Sequence, residues 1–236
     1  MQLFYSPELN LTDKEFTFNP DESKHIIRVL RKKAGDILNI TNGKGYLFSS
    51  EIEQATPKKC EVRILSVDKK EPLRNYRLHI AISPTQHLNR FEWFLEKATE
   101  IGVDEITPLI CEHSNHKKLK LERCKTIVQA AAKQSLQYYF PVVNEPIDFS
   151  SFLEQTANYE QCLIAHCKDV ERVSLKTVIS KNTDTIILIG PEGDFSEKEI
   201  SESVQKNYSP VSLGSSRLRT ETAGIVAVDT VSVMNQ

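Results

Sequence analysis

At 236 residues the chain has room for one large domain or two smaller ones. It is 39% hydrophobic and 26% charged with a net charge of −2, so it is not a disordered polyelectrolyte, and no apolar run reaches the ~18 residues of a membrane-spanning helix. The five cysteines (Cys60, Cys111, Cys124, Cys162 and Cys167) are scattered and form no CxxC pair, which argues against a disulfide framework and against zinc; no metal is expected. The opening stretch, Met1 to Pro7, has no cationic segment followed by an apolar one, so a secretory signal is not expected and the cytoplasm is the expected compartment.

In chain order, the first expected element is a helix. Asn19 caps it, Pro20 takes its first position, Asp21 and Glu22 suit its positive end, and Gly35 closes it. His25, Arg28 and Lys32 recur on it at i, i+3 and i+7 as a basic stripe flanked by Arg31 and Lys33. Ile26, Ile27, Val29 and Leu30 are left to face the core. Strands follow at Ile37–Thr41, Tyr46–Ile52 and Cys60–Val67, separated by turn signals at 42–45 and 56–57. Residues 1–70 thus read as a small β-barrel-like module, with residues 69–72 as a linker.

From Arg74 onward strands and helices alternate. Strands are expected at Arg77–Ile82, Glu105–Ile110, Gln161–His166, Thr185–Ile189 and Val211–Leu213. Phe91, Phe94, Leu95, Ala98 and Ile101 mark one helix that Gly102 ends, with Trp93 as a packing residue on it. Further helices cover about 121–137, a stretch opened by the capping box Ser196 to Glu199, and about 220–234. Such alternation implies an α/β domain with a mostly parallel sheet covered on both faces. Its ligands belong beyond the carboxyl ends of the strands, in the loops after Ile189 and Leu213.

The first of these loops, Gly190-Pro191-Glu192-Gly193-Asp194, is neither a Walker A loop nor GxGxxG. Glu192 would repel a phosphate and suits a ligand with positive charge, or with hydroxyls and an amine. A plain strand-to-helix turn is the competing reading. The second, Gly214-Ser215-Ser216-Arg217-Leu218-Arg219, puts two arginines just before a helix start, where the helix dipole disfavours cations. They suit phosphate or RNA, unless they are simply an exposed basic turn.

Ile189-Gly190-Pro191-Glu192-Gly193 and Leu213-Gly214 with Leu218-Arg219-Thr220-Glu221-Thr222-Ala223 resemble the two signature segments of the RsmE family. The stretch His25 to Arg31, the block Glu96-Lys97-Ala98-Thr99-Glu100-Ile101-Gly102 and Gln129 to Ser135 are similar to its other blocks, in the same order over most of the chain. The chain departs from the family pattern at Asp194, Ser216 and Gln137.

The resemblance implies a C-terminal SPOUT methyltransferase domain (an α/β trefoil-knot fold) at 73–236, with the knot at roughly 185–230. It also implies an N-terminal PUA-like β-barrel at 1–70. It further implies a homodimer that uses S-adenosylmethionine to methylate N3 of a uridine in 16S ribosomal RNA of the small subunit. Ile189, Gly190, Gly193, Leu213, Gly214, Leu218 and Ala223 would line the adenosyl pocket, with Thr222 nearby and Glu192 meeting the amino-acid part or ordering the loop. His166 would border the pocket, or else pack as a buried structural residue. Arg219 would steady the target base or its phosphate, and Glu192 or Glu221 would serve as general base. RNA contact would fall to His25, Arg28, Arg31, Lys32, Lys97, Arg217 and Arg219. The alternatives are a non-catalytic RNA-binding ribosome-assembly factor of the same fold, and a doubly wound nucleotide-binding enzyme. The second alternative lacks a phosphate loop. The first predicts blocked positions at the two glycine loops, and Gly190, Gly193, Leu213 and Gly214 read as open.

Overall fold

The computed structural model describes residues 2–116, 118–155, 159–168 and 172–236. They divide into two compact units, one formed by Met1–Leu73 with Ala132–Phe140, the other by Arg74–Ala131 with Pro141–Gln236.

In the first unit, β1 (Leu3–Tyr5), β2 (Glu15–Thr17), α1 (Pro20–Lys24), β3 (Ile37–Thr41), β4 (Tyr46–Thr56) and β5 (Lys59–Lys69) follow in order. The sheet order is β1-β3-β4-β5-β2, with β1 parallel to β3 and the other pairs antiparallel. Two register shifts in the β4–β5 ladder, at Ser49/Ser50 and Ile52/Gln54, add local bend and twist. Phe4, Phe18, Ile26, Ile40, Phe48 and Val62 fill its core. Buried Ser23 on α1 donates to the Phe18 carbonyl and accepts from the Cys60 N–H, which holds the helix against β5.

Asn19 caps α1 and Pro20 opens it as expected, but the helix does not run to Gly35. After Lys24 the chain widens into a π-helical turn, His25–Val29, with the Leu30 N–H bonded to the His25 carbonyl, and Arg31 then turns left-handed at φ +56°. Gly35 sits instead in the turn before β3 and donates to the Ile52 carbonyl. The wider turn breaks the i, i+3, i+7 register, so Lys32 lies outside the helix and the stripe is not continuous. It also swings Val29 outward, 64% exposed, while Ile26 stays in the core. His25, Arg28 and Arg31 are exposed and Lys32 half-buried; none of the four has an ion-pair partner among the described residues.

Ala132–Phe140 joins this unit through the turn after β3, where the Gly45 N–H bonds to the Tyr138 carbonyl and the Phe140 N–H to that of Gly43. Tyr5 and Phe140 stack at 4.5 Å.

The second unit runs β6 (Leu78–Ile82), α2 (Leu88–Ile101), β7 (Glu105–Ile110), α3 (Leu121–Gln134, its last three residues counted with the first unit), β8 (Val142–Val143), β9 (Ile147–Asp148), α4 (Phe149–Gln155), β10 (Gln161–Ala165), β11 (Val173–Ser174), α5 (Leu175–Val178), β12 (Thr185–Ile189), α6 (Glu197–Gln205), β13 (Ser209–Ser212) and α7 (Thr220–Met234). All its strand pairs are parallel, in the order β11-β13-β10-β12-β6-β7-β8, with β9 beside the end of β7. The central strands β6 and β12 are buried along their whole length, as a sheet covered on both faces requires. Alternation sorts their side chains. Ile80, Ile82, Ile187 and Ile189 pack with α2 and α7, while Ala81, Ile186 and Leu188 pack with α4. α3 stops at Gln134 rather than Gln137 because Leu136 turns left-handed at φ +56°. Trp93, read as a packing residue, is 46% exposed on α2, while Phe94 takes the buried position.

At the amino ends of β6 and β7, His79 is buried. Its ring nitrogens bond to the Tyr159 and Thr107 hydroxyls at 2.9 and 2.8 Å, with Glu105 and Arg77 nearby. Burial pushes its imidazole pKa down to about 4, against the opposing pull of the Glu105 carboxylate. The unfolded chain therefore binds a proton that the folded one refuses between about pH 6.5 and 4. The stability tied to His79 is fully present above that window and is lost as pH falls through it, by about 1.4 kcal/mol per pH unit. Thermal melts from pH 7 to 5 should show this slope, and His79→Gln should flatten it. The same slope in both proteins would place the acid sensitivity elsewhere.

Candidate active site

Three neighbouring strands, β13, β10 and β12, end side by side, and the loops that leave them enclose a cavity of about 310 Å³. Its apolar wall comes from Ala165, Ile189, Val211, Leu213, Leu218 and Ala223, and its polar rim from His166, Arg172, Glu192, Asp194, Arg217 and Thr220. The placement follows from the fold. In a parallel sheet the carboxyl ends all point one way, and backbone groups there have no further strand to pair with.

The loop after β12 is held from several sides. The Gln86 N–H donates to Glu192 Oε1 at 2.7 Å, the Thr220 hydroxyl donates to the Gly190 carbonyl at 3.1 Å, and the Ser83 N–H donates to the Ile189 carbonyl at 3.0 Å. Glu192 thus orders its loop, while its second carboxylate oxygen is buried with no partner among the described residues. Asp194 stands where the resembled family often has glycine, and its φ of +66° explains the glycine. Aspartate tolerates that conformation, and its carboxylate ties the Cys167 N–H at 2.7 Å and the Phe195 N–H at 2.9 Å. Directly after it, the Ser196 to Glu199 capping box forms with both of its reciprocal bonds.

The loop after β13 turns on Gly214, whose φ of +145° is a conformation that side chains avoid, and the space where a Cβ would stand is open. Arg217 reaches the Glu192 carbonyl at 3.5 Å. Arg219 is the N-cap residue of α7, exposed, with no side-chain capping bond and no ion pair among the described residues.

Of the residues named from sequence, His166, Ile189, Gly190, Glu192, Leu213, Gly214, Leu218, Ala223 and Arg217 meet at the cavity. Gly193 and Thr222 do not line it. Gly193 packs toward the His113 side chain, and Thr222 is half-buried on α7. Arg219 and Glu221 also lie off its wall. Glu221 is 7% exposed, with Oε1 3.8 Å from the Arg90 guanidinium and Oε2 unpartnered among the described residues. Lys97 is held between Glu96 at 2.7 Å and Glu100 at 3.0 Å, so its charge is locally matched. Sequence reading did not find Gln86 and Arg90, because each acts across a long sequence separation, nor Arg172, whose guanidinium donates to the His166 carbonyl six residues away. No group of three or more metal-ligating side chains occurs among the described residues.

Comparison with known proteins adds to this geometry. Residues 71–232 match the model of an RNA methyltransferase domain, and residues 18–65 that of an RNA methyltransferase PUA domain. The chain is 28% identical to the ribosomal RNA small subunit methyltransferase E of Buchnera aphidicola, over 99% of this chain and 93% of that one. A probable rRNA-methyltransferase from Porphyromonas gingivalis superposes with a TM-score of 0.93 at 40% identity, covering 100% of this chain and 98% of that one. The ribosomal RNA small subunit methyltransferase E of Neisseria gonorrhoeae, solved bound to S-adenosyl methionine, superposes with a TM-score of 0.88 at 25% identity, covering 100% and 98%.

Proposed function

Because this chain belongs to the RsmE family of ribosomal RNA small subunit methyltransferases, we propose that its S-adenosylmethionine-dependent reaction methylates N3 of one uridine in 16S ribosomal RNA. The observation that carries the site is the cavity at the ends of β10, β12 and β13, whose walls fit such a cofactor. Apolar side chains and loop backbone suit an adenosyl group, and Gly214 leaves open space. The imidazole of His166 and one oxygen of Glu192 are buried without partners among the described residues, in position for a polar ligand. Ile189, Gly190, Leu213, Gly214, Leu218 and Ala223 would hold the adenosyl part, and Gly193 and Thr222 would act behind them. Glu192 would offer negative charge to a cationic ligand. Bound S-adenosylmethionine supplies the methyl group.

The protein's own task is to position the uracil, take the proton from N3 and stabilise the charge left on the base. Glu192 or Glu221 would take the proton, and Arg219 would steady the base or its phosphate. Mass spectrometry of 16S rRNA from cells with and without the protein tests this reading. Loss of one 3-methyluridine supports it; an unchanged modification pattern overturns it.

RNA contact in the N-terminal unit falls to His25, Arg28, Arg31 and Lys32, with Arg217 and Arg219 in the second unit and Lys97 least favoured by its acidic neighbours. Replacing Arg28 and Arg31 with alanine should weaken RNA binding and reduce the slope of log affinity against log salt by about 0.7 to 0.9 for each phosphate that is no longer neutralised. An unchanged slope would remove this turn from the RNA surface.

The homodimer finds support in α7. Gly224, Ala227, Val228 and Val231 face the core with Ile225 packed beside them, while the opposite side shows Val226 and Val233 among Thr222, Asp229 and Thr230. Two valines left on the outward side of a helix whose inner side is already packed suit a second packing surface. Light scattering should give twice the 26.9 kDa chain mass, and Val226→Asp should halve it. No helix among the described residues is long and apolar enough to cross a membrane, and an rRNA substrate fits work in the cytoplasm.

A further inference from the structure

His166 is 4% exposed and lines the cavity, yet neither of its ring nitrogens has a hydrogen-bond partner among the described residues. Unsatisfied buried donors and acceptors are costly, so both nitrogens await something that enters the cavity. Its place in the sheet narrows the choice. Ala165 pairs in register with Ile189 on one side and Val211 on the other, which sets the next residue, His166, between the two glycine loops at the level of Gly190 and Ser212. Its main chain is locked there. The His166 carbonyl accepts from the Arg172 guanidinium, and the following N–H of Cys167 donates to the Asp194 carboxylate at 2.7 Å.

Resting on the reading that this cavity takes S-adenosylmethionine, we infer that His166 reads the ribose hydroxyls of the cofactor, donating from one ring nitrogen and accepting at the other. Burial lowers the imidazole pKa, Arg172 and Lys168 push the same way, and Asp194 opposes them. The ring is therefore neutral at physiological pH, with one N–H and one lone pair. A hydroxyl both donates and accepts and so satisfies either nitrogen. A carboxylate only accepts and an ammonium only donates, so each leaves one ring nitrogen unmet.

The test is calorimetry with S-adenosylhomocysteine and its 2′-deoxy and 3′-deoxy analogues. The wild-type protein should bind at least one deoxy analogue about tenfold more weakly than the parent compound. His166→Ala should bind the parent about tenfold more weakly than wild type, with little further loss for that analogue. His166→Asn, which keeps a donor and an acceptor, should recover part of the affinity, and thermal melts will show whether both variants fold. An equal loss for all three ligands, or no loss for any, overturns the assignment. Failure of the wild-type protein to bind S-adenosylhomocysteine at all is a different result, and it overturns the cofactor reading itself.

Discussion

Gly224→Val will cost the protein more stability than any change at its surface. A Cβ at residue 224 would stand 2.6 and 2.8 Å from two ring carbons of Phe94 and 2.9 Å from Ile82 Cδ1. Both neighbours are fully buried, so neither has free space to move into. Two effects compete on Gly224→Ala. Helix propensity gains about 1 kcal/mol, and overpacking costs about 1–3 kcal/mol. The contacts lie below any normal Cβ separation, so the overpacking wins and the alanine variant should melt several degrees lower. Valine adds two more carbons at the same point, gains less from propensity and should bring a drop of more than about 10 °C, or insoluble protein. The damage will not stay local. α7 begins with Thr220, whose hydroxyl holds the Gly190 carbonyl, so a helix pushed off α2 also loosens the loop after β12. A melting temperature unchanged or raised in Gly224→Ala would show that α7 is not packed this closely on α2 and β6.

What could be read from sequence, and what could not, divides by range. Thr185–Ile189 is an apolar run followed by glycine, and Ser196 with Glu199 is a cap whose two bonds lie within four residues; both are local and both were legible. The end of the first helix was not, because Asn19, Pro20 and Gly35 give the start and a stop but say nothing of a π-helical turn between them. The assignment of Ala132–Phe140 to the N-terminal unit rests on main-chain bonds to Gly43 and Gly45, some 95 residues away. The two-residue strands β8 and β9 are too short to carry a period. At the site, the loops were legible and their supports were not. Gln86 meets Glu192 across 106 residues, by a main-chain N–H that no side-chain pattern reveals. Gly193 reads like Gly190 in the sequence, yet faces His113 and not the cavity.

Arg219→Ala should cut methyl transfer by about 100-fold or more while leaving the affinity for S-adenosylhomocysteine within about twofold of wild type. Arg219 caps α7 with its main chain, its carbonyl accepting from the Ala223 N–H at 2.7 Å, and its side chain takes no part in that cap. A cation at a helix amino terminus opposes the dipole by about 0.3–1 kcal/mol, and no described carboxylate pairs with this one to offset it. Helix stability therefore gives no reason for arginine here. An incoming anion does, because the guanidinium and the free N–H groups of the first turn both favour it. A target base that has lost a proton is such an anion, and so is an RNA phosphate. The residue lies off the cavity wall, so its removal should spare the cofactor's surroundings and lower the rate. Arg219→Lys should sit between the two, since it keeps the charge but not the planar pair of donors. Arg217→Ala, which also frees the Glu192 carbonyl that the guanidinium reaches at 3.5 Å, should weaken cofactor binding as well as turnover. Single-turnover rates and calorimetry on the same preparations separate these outcomes. Equal losses of rate and cofactor affinity in Arg219→Ala would mean that the residue braces the loop and does not hold the target.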